Sequence, residues 1–147
     1  MASRIDPVLA AVRQQVETLG FTLEGVALPV LIRRAAHRRQ TLDPRAMITV
    51  AKSGTPEQTS RRRFGLWQTA YQIDVVLHAP YLGPDGDTST YSTMRDRIVD
   101  LFKSVPLIGA PAVFELDCQS ADWLRPTGEQ SEYDVWAAQV TATIAHE

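Results

Sequence analysis

Cysteine is nearly absent from this chain of 147 residues: Cys118 stands alone, so no disulfide can close within it. No zinc-ligand spacing surrounds that thiol, and a reducing compartment or indifference to redox is the simplest reading. Histidine is as sparse. His37, His78 and His146 are scattered, so a histidine metal site could come only from chance convergence in the fold. No stretch approaches the ~18 apolar residues of a membrane span. The opening MASRIDPVLAAVRQQVETLG lacks the unbroken apolar core of a signal peptide, so neither membrane insertion nor export by that route is expected.

Catalytic signatures are missing too: GxSxG, GxGxxG after a strand, the P-loop and HExxH do not occur. Two carboxylate arrangements remain. Asp74 and His78 share a strand face, but four residues of strand separate them by ~13 Å, beyond hydrogen-bond reach. Glu115 and Asp117 share a face at ~7 Å, a spacing that suits acid-base pairs but equally an ordinary solvated strand face. The stretch DGDTSTYSTMRD has Asp85, Asp87, Ser89 and Asp96 where a calcium loop has ligands. Thr90 stands where that loop needs Gly, and Asp96 where Glu chelates with both oxygens, so a turn and a helix cap account better for these residues. The expectation is no enzyme, no cofactor and no metal.

What is present is an ordinary globular composition, 44% hydrophobic and 22% charged, long enough for one domain over residues 1–147 to bury a core unaided. The net charge of −2 conceals a segregation. Between Arg33 and Arg63 lie nine basic and two acidic residues, a window of +7 set against −9 in the remainder. Such a distribution steers a polyanion, or matches the positive part of one subunit to the negative part of its neighbour.

Ile5, Val8, Leu9, Val12, Val16 and Leu19 recur at helical spacing, with Asp6 as a cap, Pro7 in the first turn and Gly20 at the end. VALPVLI and AMITVAK read as two strands joined as a hairpin through TLDPR, with Pro29 marking an edge strand or a strand start. The connection carries a basic patch: Arg33, Arg34, Arg38, Arg39 and Arg45. A long loop over about residues 53–66 follows, then the alternating strand WQTAYQIDVVLHA. Tyr91, Met94, Ile98, Leu101 and Phe102 mark a second helix, capped by Thr88, Ser89 or Thr90. AVFELDC and EYDVWAAQVTATIA close the chain as strands, Phe114, Leu116 and Cys118 sharing one face of the first.

The predicted fold is α+β: a mostly antiparallel sheet of about five strands with two helices packed on one face, in the order α-β-β-β-α-β-β. The other sheet face, with Val76, Val135 and Ala137, needs water or a partner and leaves room for an oligomer contact. The 53–66 loop ends in RRRFGLW. Arg61, Arg62 and Arg63 can meet phosphates while Phe64 and Trp67 stack on bases, or the five can anchor a subunit contact, or the loop can simply be solvated. Overall acidity and the lack of any nucleic-acid-binding motif weigh against the first.

The order of VETLGF, DPRAMITVAK, a long polar loop, YQIDVVLHA, YSTMRDRIVDLF and YDVWAAQVTATIA resembles that of the tail terminator proteins of long-tailed bacteriophages and prophages, over nearly the whole chain. The neck proteins that join head to tail are similar at this level. The resemblance implies a structural virion protein, present in the host cytoplasm before assembly. Its expected form is a homo-oligomeric ring, usually of six subunits, that binds the end of the tail tube, stops its growth and meets the head connector or stopper. Arg61, Arg62 and Arg63 would then face a neighbour, the tube or DNA in the channel, with Phe64 and Trp67 as anchors. A small nucleic-acid-binding domain using the same arginines is the alternative.

Overall fold

The computed structural model describes residues 4–23, 25–32, 47–53, 58–61, 65–80, 89–104, 106–110, 113–121 and 133–146. Among these described residues two helices and eight strands form an α+β fold: α1 (Ile5–Glu17), β1 (Thr22–Leu23), β2 (Val26–Ala27), β3 (Val30–Ile32), β4 (Met47–Lys52), β5 (Gln58–Arg61), β6 (Trp67–Pro80), α2 (Ser89–Ser104), β7 (Val113–Ala121) and β8 (Tyr133–His146). Six strands make the main sheet, ordered β3-β4-β6-β8-β7, with β5 also paired to β6. β1 and β2 form a separate small hairpin.

α1 forms where the apolar spacing predicts, and buries Ile5, Val8, Leu9, Val12 and Val16. Arg4 occupies the cap position without a side-chain bond, and Asp6 lies inside the first turn. Asp6 therefore acts on the helix dipole, worth ~0.3–1 kcal/mol, and not as the expected cap. Each fully buried Val or Leu contributes ~1.5–3 kcal/mol, so the stripe dominates the placement of this helix. Gly20 follows with φ of 61°, the left-handed conformation that lets the chain turn away after α1.

Both helices lie on one face of the sheet. Their buried residues form one core with Ile48 and Val50 of β4, Tyr71, Ile73, Val75 and Leu77 of β6, Cys118 of β7, and Ala138, Val140, Ala142 and Ile144 of β8. Register explains the sharing: Val50 is opposite Val75, Val75 opposite Ala138, and Ile73 opposite Val140. Directly opposed residues of antiparallel strands project to the same side.

Three expectations are corrected. First, β3 and β4 are parallel, Val30 opposite Ile48 and Ile32 opposite Val50, and so are not a hairpin. Fourteen residues, 33–46, separate them, which is crossover length and far beyond a tight turn. Pro29 does precede an edge strand, and its carbonyl accepts the Ile48 N–H at 2.9 Å. Second, residues 53–66 are not all loop, since β5 pairs antiparallel with the start of β6. Its polar sequence hid it, for all four residues of β5 are exposed. Third, the face opposite the helices is closed at its centre: Val76 and Ala137 are fully buried, with Thr49, Ala51, Asp74 and His78. The side chain of Val135 lies outside the described residues. Polar residues tolerate this burial because they are partnered, Thr49 Oγ1 lying 3.1 Å from His78 Nε2. That centre offers no open oligomer surface.

A buried glutamine ties α1 to the segment after α2. Gln15 Nε2 donates to the Pro106 carbonyl, and Gln15 Oε1 accepts the Ile108 N–H, both at 3.3 Å. One amide thus serves a backbone acceptor and a backbone donor two residues apart. Gln15→Ala is expected to lower the unfolding free energy by about 1–3 kcal/mol in urea titration, through the loss of both bonds. The exposed neighbouring change Gln14→Ala should stay within about 0.5 kcal/mol. Equal effects from the two would show that the clasp carries no stability.

Candidate functional site

β6 and β8 are each fourteen residues long and paired throughout, from Trp67 opposite His146 to Pro80 opposite Tyr133. At about 3.3 Å per residue they span roughly 45 Å. β4 covers only the part of β6 from Ile73 to His78, and β5 takes the same edge from Trp67 to Ala70. Between the paired residues Lys52 and Gln58 lie five residues, against two between Ala70 and Ile73 on β6. The β4–β5 side thus carries three extra residues, an interruption at the base of the tip.

The tip is where the predicted aromatic and one predicted arginine meet. Arg61 stands opposite Trp67, its guanidinium carbon 5.9 Å from the indole centroid. Trp67 nevertheless remains 42% exposed. A cation over an indole face in water is worth ~0.5–1 kcal/mol, enough to bias the arrangement and too little to consume either group. Both remain free to meet a partner.

Behind this pair a polar rung crosses three strands. Thr59 Oγ1 lies 3.1 Å from Thr69 Oγ1, which lies 2.8 Å from His146 Nε2. Thr69 is buried at 4% exposure, and a hydroxyl can donate once and accept twice, so it satisfies both neighbours. The rung joins the β5–β6 hairpin to β8 through side chains as well as backbone. Thr59, Thr69 and His146 carried no sequence signal as a group; only strand register brings residues 59, 69 and 146 together.

Of the other predicted site residues, Arg62, Arg63 and Phe64 lie outside the described residues, as do Arg33, Arg34, Arg38, Arg39 and Arg45. Asp85 and Asp87 of the calcium-like stretch lie outside them too. Asp74 and His78 are on the same face and both buried. Glu115 and Asp117 share a face of β7, opposite Thr143 and Thr141, and both are exposed. Phe114 departs from the predicted alternation. A bulge between Val113 and Glu115 places Val113 against the core and leaves Phe114 46% exposed.

Two further features lie apart from the tip. An open cleft of about 410 Å³ is lined by Phe21, Ser89, Thr90, Thr93, Met94 and Arg97 among others, with Arg97 over the Phe21 ring at 5.0 Å. Cys118 is buried at 1% exposure. Desolvation, aided by the Asp117 charge and opposed by Lys103, pushes its thiol up from 9.0 to about 12. A thiol held protonated at neutral pH is a poor nucleophile.

Compared with known proteins, the chain matches no family model, and no curated protein matches it.

The raised Cys118 pKa has a definite sign. The folded state holds the proton more tightly than the unfolded state, so its contribution to stability is complete below pH 9 and is lost as pH rises toward about 12. Urea midpoints measured from pH 8 to 11 should fall more steeply for the native chain than for Cys118→Ala. Parallel curves would show that the thiol titrates alike in both states.

Proposed function

We propose that this chain is a non-enzymatic structural protein of the bacteriophage neck. In this reading it caps the tail tube as a ring, ends tail polymerisation and presents the surface that the head connector or stopper meets. The observation that carries the reading is the tip: an exposed Trp67 with Arg61 beside it, at the end of a strand pair that runs the length of the sheet. Aromatic and arginine side chains are the commonest anchors of protein interfaces, and here they stand on a braced hairpin. The sequence adds Arg62, Arg63 and Phe64 between Arg61 and Trp67. Charge segregation supports a ring, because a heterologous contact joins two different patches and a +7 window facing a −9 remainder suits that.

One feature favours a second reading. An exposed indole beside arginines also suits stacking on single-stranded nucleic acid, with DNA in a channel or RNA as the ligand. The two differ in assembly state and in salt response.

Light scattering over a concentration series, at low and high salt, with and without purified tail-tube protein, separates them. The expected result is a ring mass, alone or with the tube, and its loss when Arg61, Arg62, Arg63, Phe64 and Trp67 are replaced together by Ala. A persistent monomer, indifferent to the tube and binding DNA in a strongly salt-dependent way, would replace the neck reading with the second one.

A further inference from the structure

The sheet has two open edges at its tip, and they stand at the same height. One row runs Gln58, Ala70, Thr143, Glu115 across β5, β6, β8 and β7. The next runs Thr59, Thr69, Ile144, Val113. Among the described residues no strand lies outside β5 on one side or outside β7 on the other. Each presents backbone N–H and C=O groups suited to another strand.

Strand direction makes these two edges complementary. β5 is antiparallel to β6, β6 to β8, and β8 to β7. β5 and β7 therefore run in opposite senses. A copy rotated about an axis along the strands brings its β7 beside β5 of the first copy in antiparallel order, without inversion. Because both edges lie in the same rows, this contact requires no translation along the strands. A heterologous contact with rotation and no rise closes into a ring, whereas one with a rise makes a filament.

Charge selects this pairing over the self-pairings. β7 exposes Glu115 and Asp117, so two β7 edges joined by a two-fold axis would oppose like charges. β5 carries Arg61 as its one charged residue, so two β5 edges would join two basic strands with no carboxylate between them. A β5 edge against a β7 edge joins basic to acidic. Arg61 lies on the helix side of the sheet, opposite Trp67, while Glu115 and Asp117 lie on the other side. The match is thus one of edge potential and not of ion pairs across one face. The bulge at Phe114 and the two carboxylates discourage indiscriminate strand addition. They leave Phe114 exposed where a neighbouring strand would cover it.

We infer that the β5 edge of one copy pairs antiparallel with the β7 edge of the next, so that the sheets of successive copies join around the ring. This rests on the ring proposed above and names the surfaces that close it.

Gln58 and Glu115 occupy the same row and the same sheet face, and both are exposed. In the inferred contact they sit opposite one another, with Cβ atoms ~4.5–5.5 Å apart, near enough for a disulfide after a small adjustment. The test is oxidation of Gln58→Cys, of Glu115→Cys, of their equimolar mixture and of the double variant, read by non-reducing electrophoresis and light scattering. The buried Cys118 stays in place in all of them. The expected result is a covalent dimer in the mixture, a ladder reaching the ring mass in the double variant, and no cross-link in either single variant. Efficient self-cross-linking of a single variant would overturn the inference in favour of a two-fold contact. A ring mass with no ladder would overturn it while leaving the ring reading intact. A monomer under every condition, tube protein included, would overturn both.

Discussion

The fold depends on the pairing of β6 with β8. Fourteen residues of each strand are in register without interruption, and every other strand of the main sheet reaches this pair directly or through one neighbour. On its helix side the pair supplies Tyr71, Ile73, Val75 and Leu77 on one strand and Ala138, Val140, Ala142 and Ile144 on the other. The residues on β8 are mostly small, and α2 packs across β7 and β8 there, with Phe102 and Ile98 almost fully buried. A one-residue slip of either strand would turn this whole set to the opposite face, so core and register enforce each other.

The length of that pair also creates the tip. A strand pair of ordinary length, ~5–6 residues, would end within the helix-covered core. Fourteen residues carry it past β4, to a region covered by the short polar hairpin strand β5 and braced by the Thr59, Thr69 and His146 rung. Backbone pairing and side-chain bonds hold this region, with Trp67 and Arg61 left facing outward. A rigid extension with an exposed ring and cation lowers the ordering cost of binding, because the anchor is already positioned.

The buried second face shows how polar residues mislead a reading by alternation. Asp74, His78 and Thr49 alternate with apolar neighbours, and alternation ordinarily means one dry side and one wet side. Here both sides are dry at the centre, and Thr49 on β4 and His78 on β6 hold one another through a side-chain hydrogen bond. Phe114 illustrates the converse. Its place in an alternating strand reads as core, yet one extra residue in β7 shifts it to the surface and gives its inward place to Val113.

Sequence by itself determined the two helices, the long strands β6 and β8, the α+β class and the grouping of arginine with aromatic residues near position 61. Those features arise from periodicity and composition within short windows, where side-chain spacing maps directly onto one face of one element. Tertiary structure alone decided the parallel pairing of β3 with β4, the existence of β5, the burial of Val76, the exposure of Phe114 and the meeting of Thr59, Thr69 and His146. Each depends on which residue of a distant strand lies opposite. Register is a property of two segments at once, set by the joint burial of both, and no window of a single strand contains it.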